Sequence, residues 1–551
     1  MKKINKIMIV GLLAFFFANE SCETTDLDLT ENPNALSQSQ ADPDLLLNGI
    51  QEDFARVVES FGRTGAEVTR IDYMFGRDYR NAYQPTDFDG EWEDAYAEII
   101  ADLSTMTNIA EASGLNYHVG MGQFIKAYTL VLLVDMFGDI PNTEANQGAD
   151  NFSPAPDAGA DVYSAAMTML DNAITNFSTT PSAEPAFDLF YGNNPSRWIK
   201  ACNTLKMKMY MQTRLVDASA LSNFNAIVST GNYISSTSDD LQFSWGTNEV
   251  QPDTRHPRYT VSYTTVGGDD YMSNWLMNYM LVNEDPRIRY YYYRQNDETP
   301  GAPGVAPDEE TLDCSLQTAP PHLAGFPFCS LPDGYWGRDH GNDFGIPPDG
   351  FLRTLVGVYP AAGKFDDDTF AGQSQGDGAG GNGITPILLS STSDFLIAEA
   401  AMVNNDPMGA KTAILDGLDK SVNKVQTFGA LDASADLTFA PSATDISDHM
   451  TLIENAFDNA TTNEERWNVL AEEFFVSLYG NGIDAYNFYR RTGYPTTLQP
   501  NLEPNPGSFI RSFFYPANAA NNNSNITQKP DQIQQVFWDN NPASPSFPIA
   551  N

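Results

Sequence analysis

The stretch from Tyr335 to Gly350, YWGRDHGNDFGIPPDG, concentrates side chains capable of chemistry. Trp336, Arg338, Asp339, His340, Asn342 and Asp343 fall within eight residues, among glycines. Sugar recognition uses such a set. A flat aromatic face packs on the C–H side of a pyranose, and planar polar groups pair with its hydroxyls. Asp339, His340 and Asp343 also carry metal-ligating atoms. Transition metals usually want a second imidazole or a thiolate, so a metal here needs a partner from elsewhere. The remaining alternative is a loop whose arginine and aspartates satisfy one another. We treat the six residues as candidate ligand contacts, with no metal site expected.

A second set lies in SWGTNEVQPDTRHPRYTVSY, residues 244–263. Trp245, Arg258 and Tyr259 are its candidate ligand contacts, with Arg255, His256 and Tyr263 alongside. This locally basic cluster could hold an acidic substituent, a peptide carboxylate or a loop of a transporter, or be a loop that satisfies itself. DYMFGRDYRNAY adds Tyr73, Phe75, Tyr79 and Tyr83, which either line a ligand face or plug a core. FDDDTFAGQSQGDGAGGNG contains a formal GxGxxG at Gly376, Gly378 and Gly381. No strand precedes it and no helix opens from it, so it does not read as a nucleotide site. Asp366, Asp367 and Asp368 could take calcium with backbone oxygens, or stand in a solvated loop. No cofactor is otherwise expected.

There is no HExxH or Cys–His arrangement. Glu472 and Glu473 are adjacent on a helical pattern and diverge by about 100°, so they cannot face one bond together. Asp484 and Arg490 read as an ion pair.

Helical periodicity must position these loops, and it dominates both ends of the chain. Residues 44–61, 92–113 and 160–177 are amphipathic, whereas 122–138 is apolar nearly all round and reads as a buried central helix. Gly138 and Pro141 end it. Residues 195–216 form a long helix started by Pro195, with Ser196 able to cap it. Helical patterns return at 393–403, 409–429, 444–457 and 463–480. The paired rhythm suggests stacked helical hairpins of the tetratricopeptide kind. Residues 240–390 are rich in Pro, Gly, Asp and Tyr, with one helix at 270–283 and otherwise long loops. RYYYYR (289–294) reads as a packed segment, and the Asn-rich 518–526 as a surface loop.

Formal charge is −42, which repels nucleic acid and anionic membrane surfaces and leaves neutral sugars, peptides and cations open as ligands. Of four cysteines, Cys202 sits in a helical run and reads as a small buried hydrophobe. Cys314 and Cys329 bracket a Pro-rich loop. In an oxidising compartment they could pair, closing a loop of about 15 residues worth roughly 3 kcal/mol; otherwise they are two buried thiols.

The compartment is indicated by the start of the chain. Lys2, Lys3 and Lys6 precede an apolar run from Ile7 to Phe17, too short for the roughly 20 residues a bilayer needs. This is the layout of a secretory signal, residues 1–21, with cleavage before Cys22. The thiol of Cys22 would then carry lipid, and residues 22–43 would be a flexible tether. The alternative is an ordinary secreted protein with an early free cysteine.

Several stretches, in order along the chain, resemble the SusD/RagB family of outer-membrane nutrient-binding lipoproteins, closest to its starch-binding-associated branch. They are ENPNA (31–35), LVDMFGDIPNTEA (133–145), RWIKACNTLKMKMYMQTR (197–214), DPRIRYYY (285–292), DFLIAEAA (394–401), ERWNVLAEEFFVSLYGNGIDAYNFYRRTGYP (465–495) and FFYPANAANNN (513–523). The resemblance implies a mostly α-helical fold, with about four tetratricopeptide-like helix pairs packed against a loop-rich, irregular half. On that basis residues 44–551 are one domain, with scaffold at about 44–235 and 390–490 and a ligand-side region at about 240–390. It also implies a non-enzymatic, lipid-anchored protein at the outer membrane, facing the cell exterior. Such a protein would bind an oligosaccharide or a peptide and deliver it to a SusC-like TonB-dependent barrel. A surface glycosidase with carboxylates on separate loops is the rival reading, and a scaffold that stabilises the barrel is a third.

Overall fold

The computed structural model describes residues 41–345 and 347–542. The expected signal, Cys22 and nearly all of the tether lie outside these residues. From Pro43 onward the chain forms one unit, and it is mostly helical.

Four helical hairpins follow one another. They are α1 (Pro43–Val68) with α2 (Ala101–Ala112), α3 (Asn116–Phe137) with α4 (Gly159–Phe177), α5 (Pro195–Thr213) with α6 (Ala220–Thr230), and α8 (Ser390–Val403) with α9 (Pro407–Gln426). The helix α7 (Asn274–Val282) lies within the loop-rich insert between α6 and α8. Each hairpin packs on the next, through α2 on α3, α4 on α5 and α5 on α8. Three further helices complete the scaffold: α10 (Ala443–Asn459), α11 (Asn463–Ser477) and α12 (Gly482–Thr492), the last returning to pack along α1. A short α13 (Ala517–Asn522) follows.

Local chemistry sets these boundaries. Gly138, at φ +84°, ends α3 and donates its N–H to Val134. Pro195 opens α5, but the cap is Asn194, whose side chain accepts the Arg197 N–H; Ser196 instead donates to Asn194. The capping boxes Ser442/Asp445 and Thr462/Glu465 start α10 and α11.

Nearly all of α3 is buried. It is long and apolar enough to cross a membrane, yet 89% of its apolar window lies inside the protein, so it is the central core helix. Each buried Leu, Val or Phe there contributes about 1.5–3 kcal/mol. The carboxylate of Asp135, on the same helix, accepts bonds from Tyr163, Gln212, Asn487 and Trp538. One buried acid thus ties α3 to α4, α5, α12 and the C-terminal segment, and its hydrogen bonds offset the cost of burying the charge.

Between α6 and α8 the chain is mostly loop, held by two short antiparallel ladders. In the first, β1 (Leu241–Ser244) pairs with β4 (Ile384–Leu388); in the second, β2 (Tyr292–Tyr293) pairs with β3 (Leu355–Val356). Tyr290 through Tyr293 are buried and serve as this region's core. Cys314 and Cys329 form a disulfide with Cα atoms 5.7 Å apart, packed against Leu312 and Trp336. Cys202 is a buried free thiol.

Candidate functional site

The end of α1 and three loop segments enclose a cavity of about 320 Å³. α1 contributes Arg63 and Glu67, one turn apart and paired at 3.2 Å. Arg63 also reaches Asp270 at 2.5 Å. Beyond α1 the chain turns sharply at Arg70, φ +68°, whose guanidinium donates to Val68, Gln499 and Tyr79. That turn presents Asp72, Tyr73 and Phe75. Asp72 accepts from Arg258 at 2.9 Å. Phe75 is 64% exposed, a large ring at the cavity mouth.

The far wall is built by the 335–345 loop. The Arg338 N–H donates to Met272 and its carbonyl accepts from Asn274, so the loop lies beside 272–274 as a short parallel bridge. Gly337 permits this approach, because a Cβ there would stand 2.3 Å from the Met272 carbonyl oxygen. Arg338 is thereby aimed at the cavity. Its guanidinium donates to the Phe344 and Gly345 carbonyls and to the Tyr271 hydroxyl. Arg338 and Arg353 both lie over the Tyr271 ring, at 4.2 and 3.7 Å from its centroid. The Tyr271 hydroxyl donates to Asp349.

Charge in the cavity is dense and largely paired. Burial holds the carboxyls of Asp72 and Glu67 above the usual range, against the opposing pull of Arg258 and Arg63. Several buried polar atoms of the lining keep no partner among the described residues: Nε and Nη1 of Arg258, Nε of Arg338 and Oδ2 of Asp270. Buried polar groups normally find partners, so these atoms, closed off from solvent, mark unused hydrogen-bonding capacity beside the cavity.

The residues singled out by sequence divide accordingly. Arg258 and Arg338 line the cavity. Asp343, held by Arg77 at 3.4 Å, lines an adjacent groove of about 200 Å³ with Phe344. The others are interior. Trp336 is 1% exposed against the disulfide, and Trp245 is buried with its indole N–H on Thr385. Tyr259 stacks on Tyr263 at 4.6 Å and donates to the Asp377 carbonyl. Asp339 accepts from Asn274, Gln499 and the Cys329 N–H, and burial raises its pKa. His340 faces Tyr79, with burial pushing its pKa well below the ordinary value. Asn342 bonds the Cys314 sulfur and caps Phe344. The expectation that Trp336, Trp245 and Tyr259 offer a free ring is therefore corrected: hydrophobic packing takes their faces inward. The expected Asp484–Arg490 pair is also replaced, since Asp484 meets Lys208 at 2.5 Å.

The aromatic set at 73–83 splits. Tyr73, Phe75 and Tyr83 border the cavity, whereas Tyr79 is core. Tyr271, Arg353, Arg63 and Asp270 escaped sequence reasoning, because nothing local marks them; they matter through long-range convergence. Asp366 and Asp368 are engaged by Arg289 and Arg294, and Asp367 accepts the Asp436 and Thr369 N–H groups. A calcium ion would have to displace two guanidinium groups. Among the described residues the group with ligand atoms close enough for a metal is instead the buried Asp285, His449 and Glu473. Arg287 already bridges its two carboxylates, at 2.5 and 2.9 Å.

Residues 33–315 match a family described as SusD-like, "Starch-binding associating with outer membrane". Residues 382–542 match one described as "Susd and RagB outer membrane lipoprotein". No curated protein matches the sequence. Solved structures share the fold at low identity. A chitin-binding SusD homolog from Flavobacterium johnsoniae is 17% identical, with TM-score 0.62, covering 90% of this chain and 99% of that one. A SusD/RagB family protein from Bacteroides thetaiotaomicron is 17% identical, with TM-score 0.64, covering 91% and 99%. A SusD homolog from Bacteroides fragilis is 19% identical, with TM-score 0.61, covering 87% and 94%.

Proposed function

The chain belongs to the SusD/RagB family of outer-membrane lipoproteins, and from that premise we propose that it captures an oligosaccharide at the cell surface and hands it to a SusC-like TonB-dependent barrel. Its lipid would be on Cys22, and the protein would face the exterior. The ligand would enter the cavity between α1 and the 335–345 loop. The observation that carries this reading is the pairing of an exposed ring, Phe75, with unpartnered buried donors and an acceptor on Arg258, Arg338 and Asp270. A sugar presents both an apolar face and hydroxyls, and so uses both. The chitin-binding relative supports a carbohydrate over a peptide.

Binding without bond cleavage is the reading we favour. Glu67, Asp72 and Asp270 are each held by an arginine, which disfavours their service as an acid/nucleophile pair.

Calorimetric titration with chito- and malto-oligosaccharides tests the ligand site. Phe75→Ala should weaken affinity roughly five- to tenfold, the scale of one lost stacking contact, with the oligosaccharide recovered intact. Unchanged affinity would remove the cavity from consideration, and released shorter products would establish a hydrolase. Absence of an acyl group on Cys22 in mass spectra of the mature protein would sink the anchored reading.

A further inference from the structure

A second cleft, of about 200 Å³, shares no residue with the cavity above. Trp92 and Tyr96 form its floor, with ring centroids 4.7 Å apart. Tyr96 sits in a π-helical stretch, Asp94–Ile100, between two α-helical segments. Such irregular turns are rare and recur at functional sites. The Tyr96 hydroxyl is fixed on the Pro141 carbonyl at 2.6 Å.

Phe152 forms the rim and is 80% exposed. Its loop is firmly braced. Asp157 accepts the Asn142 and Thr143 N–H groups, each at 2.8 Å, and Glu144 accepts from Asn151 and the Ala155 N–H. The side chains of Asn523 and Asn525 reach across to the Pro154 and Ser153 carbonyls. A loop tied this well that still points a phenyl ring at water is not explained by packing. It has already met the ordering cost that a ligand would otherwise impose.

The opposite wall is α13. Asn518 and Asn522 are exposed there, and none of the hydrogen bonds among the described residues uses their side-chain amides. Among the described residues no charged side chain lines this cleft. That sets it apart from the arginine- and carboxylate-rich cavity and disfavours ionic ligands, which would lose hydration without a counter-charge. Rigid rings beside free amides, without charge, suit the C–H faces and hydroxyls of an uncharged sugar chain.

We propose that this cleft is a second, independent site for a neutral oligosaccharide. It shares only the ligand class with the function proposed above. Two sites on one receptor would retain a long glycan by raising the effective concentration of its other end.

Titration with chitohexaose, maltohexaose, cellohexaose and xylohexaose tests it on the mature protein, on Phe75→Ala, and on the double variant Phe152→Ala with Asn522→Ala. Trp92 is left intact because it packs on Phe137. At least one hexasaccharide should bind the wild type at two sites. The double variant should lose one site, or weaken it at least tenfold, with an unchanged melting temperature, and Phe75→Ala should affect the other. Binding that ignores the double variant overturns the second site and leaves the cavity reading intact. Binding lost in the double variant but insensitive to Phe75→Ala upholds this site and overturns the cavity. No binding of any of the four overturns the proposal. So does a double variant with normal isotherms that fails to co-purify with the outer-membrane barrel, since the patch would then be a docking surface.

Discussion

The guanidinium of Arg338 lies 4.2 Å from the centroid of the Tyr271 ring and donates to the same residue's hydroxyl. Tyr271 thus both screens and orients the arginine. Arg353 approaches the same ring and also pairs with Asp349, which the Tyr271 hydroxyl contacts. The wall of the cavity is one coupled unit of two arginines, a tyrosine and an acid.

Tyr271→Phe keeps the ring and removes the hydroxyl from Asp349 and Arg338. It should cost about 1.5–3 kcal/mol of stability, the scale of a hydrogen bond to a charged group. Tyr271→Ala removes the cation–π contacts as well and should cost more. Urea melts of both variants check the order. An alanine variant as stable as the phenylalanine one would mean that the stacked arginines contribute nothing.

Reducing the Cys314–Cys329 bridge frees a loop closed by 15 residues. The chain-entropy model assigns this about 3 kcal/mol. Trp336 packs on the bridge and Asn342 bonds the Cys314 sulfur, so the loss should travel along the 336–345 loop to the cavity wall. A Cys314→Ser/Cys329→Ser variant should melt lower, shift its tryptophan emission to the red, and bind oligosaccharide several-fold more weakly. Lower stability with unchanged affinity would show that the loop holds its shape without the bridge.

The scaffold was legible where periodicity is strong. α1, α4 and α9 follow from apolar spacing, α3 from its unbroken apolar run, and Gly138 and Pro195 from backbone chemistry. Helix α6 escaped because its short sequence ALSNFNAIVST buries only Ala220 and Phe224. The loops carrying the candidate site were recognisable by composition, but which of their side chains face outward was not. That is decided by the bridge between 272–274 and 338, by the disulfide, and by partners as distant as Lys208 from Asp484. Chemistry-bearing residue types mark a region, and long-range packing then chooses between Trp336, which it buries, and Phe75, which it exposes.

Glu59 gives a pH prediction. It is buried on α1, accepts from Thr385 at 2.8 Å, and has its pKa raised to about 7, chiefly by burial. The unfolded chain releases this proton near the ordinary carboxylate value, so between there and pH 7 only the folded state keeps it. Stability from this group is full below the unfolded pKa and is lost as pH rises through 7. At 1.36 kcal/mol per unit, the swing is up to about 3 kcal/mol. Glu59→Gln removes the proton and should melt higher than wild type at pH 8 but not at pH 5. Parallel melting curves at both pH values would contradict this.

The α1–α12 crossing supplies the sharpest steric prediction. The two helices approach at Gly65 and Gly482. A Cβ on Gly482 would stand 2.1 Å from the Ala66 nitrogen, and one on Gly65 would stand 2.5 Å from the Gly482 carbonyl oxygen. These are backbone atoms, so no side chain can rotate to make room. Overpacking in a compliant core typically costs about 1–3 kcal/mol, and Gly482→Ala should reach or exceed the upper figure. The outward-facing Gly49 on α1, where a Cβ meets nothing within 4 Å, is the matched control. Gly49→Ala should be neutral or slightly stabilising, because alanine is the better helix former by about 1 kcal/mol. Urea midpoints of the two variants decide it, and equal midpoints would mean that α12 can slide away from α1 at little cost.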